Sequence, residues 1–255
     1  NVALVLVGHV TREGTIAGPR VLEHMVDAVL HFEGDRGHQF RILRAVKNRY
    51  GPADEVVCYE QTEHGLSELA DPSQLFWSVR DVPVAGTCAT VTLEGRRPIS
   101  AEIQALLSPR PPEVDSGRRI VAGLDSARVN MLAALTQREG GVGSHRSDLY
   151  VATVAGLRIT DPAADLATCL AIFSAATGIV VPCDTVALGE VALSGDIRPC
   201  HSVTQRLNEA ARLGFTTALV PDSVDVTVRS IRTIRLRRLE HAMATLDRTT
   251  VRLRG

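Results

Sequence analysis

The chain has 255 residues, 45% of them hydrophobic and 22% charged, and a formal net charge of −1. Those totals describe a globular protein of one large or two smaller domains. No apolar run reaches the ~18 residues of a membrane span, the 4% aromatic content leaves little surface for base stacking, and the near-neutral charge neither supports nor excludes a local basic groove.

In chain order, "NVALVLVGHV" reads as a short buried strand starting at residue 2. It has no initiating Met and no signal-peptide leader. A parallel strand needs neighbours, so the expectation is a fragment whose upstream part is missing. "GHVTREGTIAGPR" is a Gly-rich connection, and "VLEHMVD" a short helix. "AVLHFEGDRGHQFRILRAVKNRYG" reads as two strands joined at Gly34–Gly37. "VVCYEQTEHGLSEL" is a further strand and turn.

"ADPSQLFWSVRDVPVAG" carries two prolines and no period, which puts a domain boundary near residue 78. Strands follow in "GTCATVTLEGRRPISAEIQALLS", then a proline-rich loop, then a helix in "LDSARVNMLAALTQREGG" with Gly140 past its end. "TDPAADLATCLAIFSAATG" is a helix capped by Asp161, with Pro162 at its first position and Gly178 as its stop. "ALGEVALSGDIRP" is a strand pair. "HSVTQRLNEAARLGF" opens with a capping box, Ser202-x-x-Gln205, and closes at Gly214. "TTALVP" is a buried strand, and the basic tail from "VTVRSIR" onward is helical in its middle. Strands alternate with helices in both parts, which gives an α/β protein of two layered domains.

The five cysteines, at 58, 88, 169, 183 and 200, are odd in number and lack metal-type spacing. They fit a reduced, intracellular compartment, with the thiols as small buried hydrophobes. No metal site is expected.

Among 28 cationic residues there is one lysine, Lys47, two positions before Arg49. A Gly-rich phosphate loop ending in G-K-[ST] is therefore impossible elsewhere and absent here. At strand period two, Lys47 and Arg49 point to one side. They are either a solvated strand end or a pair that grips phosphate, the lysine as a point charge and the arginine as a fork. His9, Thr11 and Arg12 are either a polar loop or, since ligands of open α/β sheets sit beyond strand C-termini, part of a site.

Several blocks resemble bacterial RadA (Sms) proteins: "GHVTREGTIAGPRVLEHMVD", "FEGD" and "RAVKNRYG", then "AEIQALLSP", "LYVATVAGLRITDPAADLA" and "GEVALSGDIRP". "KNRYG" is similar to that family's KNRFG, with Tyr50 in place of Phe. The resemblance covers roughly residues 2 to 220. It implies the C-terminal portion of a RecA-like ATPase core over 1–77, a Lon-protease-like domain over 78–221 and a basic tail over 222–255. It further implies DNA repair and recombination by a hexameric ring that drives branch migration on single-stranded DNA. ATP and Mg2+ are the implied cofactors, RecA recombinase an implied partner, and the cytoplasm the implied location. The zinc finger and both Walker motifs would lie upstream of Asn1, so this chain alone is not expected to hydrolyse ATP.

By the same resemblance Lys47 and Arg49 act in trans on a neighbour's ATP, and Asn48, Tyr50 and Gly51 complete the motif that presents them. His9 takes the γ-phosphate-sensing position. Thr11, Arg12 and Glu13 face DNA, and Arg118, Arg119 and Arg198 are further DNA contacts, or plain surface. The Lon-like serine–lysine dyad is missing: Ala163 stands at the serine's place, and the lysine's place falls near Thr204. Neither an alanine methyl nor a threonine can fill those roles, so peptidase activity ranks below both the ATPase reading and a non-enzymatic assembly module.

Overall fold

The computed structural model describes residues 2–8, 24–34, 40–53, 55–69, 71, 73–78, 80–110, 117–142 and 147–253. The chain divides into two compact units, Asn1–Leu69 and Ala70–Gly255.

The first unit holds strands β1 (Ala28–Glu33), β2 (Phe40–Asn48), β3 (Val56–Thr62) and β4 (Gly65–Leu69) as an antiparallel sheet in chain order. The expected strand pair is there, with Val29 opposite Lys47 and Phe32 opposite Leu43. The alternation of strands and helices is not: among the described residues the connections are hairpins, too short for the crossover that parallel pairing needs. Residues 2–8 form no strand either, and Val2, Leu4, Val5 and Val7 are exposed. An apolar, β-branched run becomes a strand only with a ladder partner, and no described strand pairs with it.

The second unit is a mixed α/β fold. Its strands are β5 (Thr87–Glu94), β6 (Arg97–Pro109), β7 (Arg119–Ala122), β8 (Ser147–Thr153), β9 (Thr185–Ala187), β12 (Thr217–Pro221) and β13 (Arg232–Leu236). They form one sheet in the order β13-β12-β9-β5-β6-β8-β7. Strands β13, β12, β9 and β5 run parallel, β5–β6 and β6–β8 antiparallel, and β7–β8 parallel. A separate two-stranded sheet joins β10 (Glu190–Val191) to β11 (Ile197–Arg198).

Its described α-helices are α1 (Ser73–Phe76), α2 (Ser126–Gly140), α3 (Asp165–Thr177), α4 (Val203–Arg212) and α5 (Leu239–Leu253). Helix α3 lies against β5 and β6 and is buried from Asp165 to Ser174, as its almost wholly apolar sequence requires. Helices α2, α3 and α5 pack on one another. Gly140 is the last residue of α2 rather than the stop; a Cβ there would stand 3.0 Å from the Phe173 ring and 3.2 Å from Met243 Sδ. The stop is Gly141, in the left-handed region at φ 62°. Helix α4 lays Leu207 and Ala210 on a core of Ala89, Val91, Val186, Ala218 and Val220.

The basic tail is folded into this unit. It supplies β13, missed in the sequence although Thr233 and Ile234 are β-branched, and α5, whose Leu239, Ala242, Met243 and Leu246 are buried. Cys58, Cys88 and Cys169 are buried, and burial pushes the Cys169 thiol up to about 12. Among the described residues no helix is long and apolar enough to cross a membrane.

The stretch around residues 71–80, expected to be a boundary, is a strap on the second unit. Ser73 Oγ donates to Glu209 Oε1 at 2.9 Å and accepts from Ser100 N–H at 3.1 Å. Trp77 packs on Phe215 with ring centroids 4.5 Å apart and the rings tilted by 43°. Arg212 grips Asp71 through both terminal nitrogens, at 2.9 and 3.0 Å. The hydrogen bond from Arg212 holds the Asp71 carboxyl below its usual 3.8. A folded-state value below the unfolded one adds stability above pH ~4 that is lost on acidification. Urea midpoints of the parent chain and Asp71→Asn are therefore expected to differ near about pH 6 and to converge below about pH 4.

Candidate functional site

Strand β2 ends in Lys47 and Asn48, and the chain then turns through Arg49, Tyr50 and Gly51. The Lys47 ammonium donates to the Val26 carbonyl at 2.9 Å and to that of His24 at 3.4 Å. His24 and Met25 have helical backbone, so these are carbonyls at a helix end, where acceptors lack intrahelical partners. A tetrahedral ammonium serves two acceptors that diverge, whereas the flat guanidinium fork suits two that lie side by side. The ammonium thus ties the end of β2 to the segment that precedes β1.

Arg49 meets the same short segment. Its N–H donates to Asp27 O at 2.9 Å, and its Nη1 donates to Asp27 Oδ1 at 3.1 Å. Asn48 braces the turn from within: Oδ1 accepts from Tyr50 N–H and Nδ2 donates to Pro52 O, each at 3.2 Å. A Cβ at position 51 would lie 2.7 Å from Asn48 Nδ2, so Gly51 leaves room for the brace. Tyr50 is 82% exposed. The structure thus gathers Lys47, Asn48, Arg49 and Gly51 into one corner with Tyr50 on its surface. His9, Thr11, Arg12 and Glu13 lie outside the described residues.

The other arginines do not share a sheet. Arg118 and Arg119 are exposed at the edge strand β7, with Arg118 N–H on Asp148 Oδ1 at 2.8 Å and Arg119 Nη1 on Asn130 Oδ1 at 3.4 Å. Arg198 is exposed on β11.

In the second unit the "DPAAD" turn leads into α3. Asp161 caps the 3-10 turn Pro162–Ala164 that precedes α3, accepting from Ala163 N–H at 3.0 Å, whereas α3 itself starts at Asp165 with no side-chain cap. The other Asp161 oxygen meets Arg206 Nη1 at 2.6 Å and Leu93 N–H at 3.1 Å. Arg206 is 1% exposed and also donates to Val91 O at 2.6 Å and His201 O at 2.8 Å. At the far end of the turn Asp165 pairs with Arg128, which reaches on to Val191 O at 2.9 Å. Burial lifts the Asp165 carboxyl above its ordinary range, against the pull of Arg128 and of Val191 N–H. Ala163 is fully buried between these pairs, and Thr204 is exposed on α4. The turn is a clamp of two Arg–Asp pairs and presents no nucleophile at position 163.

Sequence reasoning missed both pairs. A signal was present: Arg206 falls in phase with Val203, Leu207 and Ala210 on the inward face of α4. The capping box at Ser202 is corrected. Ser202 sits at φ 56° with no side-chain cap bond, because Arg206 holds the preceding His201 carbonyl and turns the chain there.

Residues 144–224 match the family model described as subunit ChlI of Mg-chelatase. Along nearly all of its length the chain is similar to proteins named DNA repair protein RadA. One, from Mycolicibacterium smegmatis, is 49% identical over 247 residues, 96% of this chain and 52% of that protein. One from Mycobacterium tuberculosis is 51% identical, covering 88% of this chain and 46% of that protein. A third, from Brucella abortus, is 47% identical, covering 86% and 47%. The chain belongs to the RadA family, and it spans about half the length of the curated relatives it matches.

Proposed function

We propose that the chain serves DNA repair and recombination as the trans-acting and DNA-contacting part of a RadA-type, ATP-dependent ring that moves branched DNA. The observation that carries this reading is 47–51% identity to proteins named for DNA repair, extending over 86–96% of the chain. In support, Lys47 and Arg49 lie at one corner in a turn braced by Asn48. Two adjacent cations fit the phosphates of a neighbour's ATP, where they would stabilise charge that builds up during phosphoryl transfer. Among the described residues no group of three or more His, Cys, Asp or Glu is placed to hold a metal ion. Mg2+ would arrive on the nucleotide, held chiefly by its phosphates. RecA recombinase as a partner, a hexameric ring and a cytoplasmic location belong to the same proposal.

The second unit is read as a Lon-like platform without peptidase activity, because Ala163 is buried and no lysine is present in it. Its exposed Arg118, Arg119 and Arg198 are the proposed contacts to DNA phosphates. The test is binding of this chain to labelled single- and double-stranded oligonucleotides across a salt series. The expected result is a steep linear fall of log affinity with log salt, the mark of several phosphate contacts. No binding at low salt would remove DNA contact from these residues and leave a non-enzymatic assembly module.

A further inference from the structure

Arg49 is 59% exposed at its side chain, and so nearly is its partner Asp27, at 56%. An exposed arginine samples many rotamers, and each must be frozen before a phosphate can be gripped. Asp27 meets the fork at one point only, Nη1 to Oδ1 at 3.1 Å. One contact restricts the side chain while leaving Nη2 and Nε for a second acceptor. The backbone bond from Arg49 N–H to Asp27 O is separate from this, at 2.9 Å. It keeps residue 49 beside residue 27 whatever side chain Asp27 carries. Two exposed groups so close in space also exchange partners readily, because an exposed pair is weak and screened by salt.

We propose that Asp27 is a positioning residue: its carboxylate pre-orients the Arg49 guanidinium, with its free edge turned outward, for a phosphate of the adjoining subunit's nucleotide. Asp27 touches no nucleotide in this role and acts through Arg49 alone. The inference rests on the trans-acting reading of Arg49 and adds the residue that aims it.

The experiment compares Asp27→Ala, Asp27→Asn, Arg49→Ala and the double variant in a polypeptide of the relatives' length that carries these residues. DNA-stimulated ATP turnover is measured between low and high salt, with thermal unfolding as a control. Asp27→Ala is expected to lower turnover about two- to five-fold at low salt, the size of a weak surface pair. Asp27→Asn keeps an acceptor oxygen without the charge and is expected to recover only part of that loss. The deficit of Asp27→Ala relative to the parent is expected to shrink as salt rises, which a merely structural loss would not do. In the Arg49→Ala background, Asp27→Ala is expected to add nothing. If Arg49→Ala leaves turnover unchanged, the trans-acting reading itself fails. If Arg49→Ala is severe while Asp27→Ala is silent, raises turnover or shows a salt-independent deficit, the positioning role alone is overturned.

Discussion

Replacing Arg206 by alanine is expected to lower the stability of the second unit by about 3–5 kcal/mol, the cost of breaking a buried ion pair from one side. The loss has three parts. Asp161 keeps its charge beside the turn without the Nη1 contact at 2.6 Å, and the carbonyls of Val91 and His201 each lose a donor. A cavity is added where the guanidinium was. Urea unfolding followed by fluorescence of Trp77 reads this, since Trp77 is the chain's one tryptophan and rests on Phe215. Adding Asp161→Asn to the Arg206 variant is expected to recover part of the loss, because the stranded charge is then gone. A cost under about 1 kcal/mol would mean that water reaches the pair and that the turn is held by packing alone.

Lys47→Ala, in a polypeptide of the relatives' length, is expected to depress DNA-stimulated ATP turnover by about 10²–10³-fold, the range for removing one donor to transition-state charge. Nucleotide binding by the same subunit should remain mostly intact, because the lysine serves the neighbour. Lys47→Arg is the sharper variant. It retains the charge, but a flat fork does not reproduce the ammonium's reach to the His24 and Val26 carbonyls. Turnover is expected to stay well below the parent in that variant too. Unchanged turnover in both would sink the assignment of Lys47 to a trans contact and leave it as a cap on the helix end.

The two lysine variants also show what the sequence could reveal. Its rarity was visible: one lysine in a chain that otherwise uses arginine. Its partners were not, because Val26 O and His24 O are main-chain acceptors more than 20 positions away, and any residue type supplies a carbonyl. Local signals read well wherever chemistry and geometry are both local. Gly178, at φ 74°, stops α3 as expected, and Asp161 with Pro162 opens the 3-10 turn that leads into it. Ser202 misled because a distant demand, the burial of Arg206 against β5, overrode a good local cap. The strand expected at residues 2–8 misled for a related reason: a β-branched apolar run states that a segment can pair and never whether the partner is there. The Arg128–Asp165 pair joins residues 37 apart, and no spacing rule would have found it.

The lodging of the sole lysine has a chemical corollary. Acylating reagents and acetyl-transferring enzymes find one side-chain amine in these 255 residues, and it lies at the proposed phosphate-facing corner. Neutralising it would remove the charge without altering any other residue. A single side-chain acyl group would then mark this corner and no other place among these 255 residues.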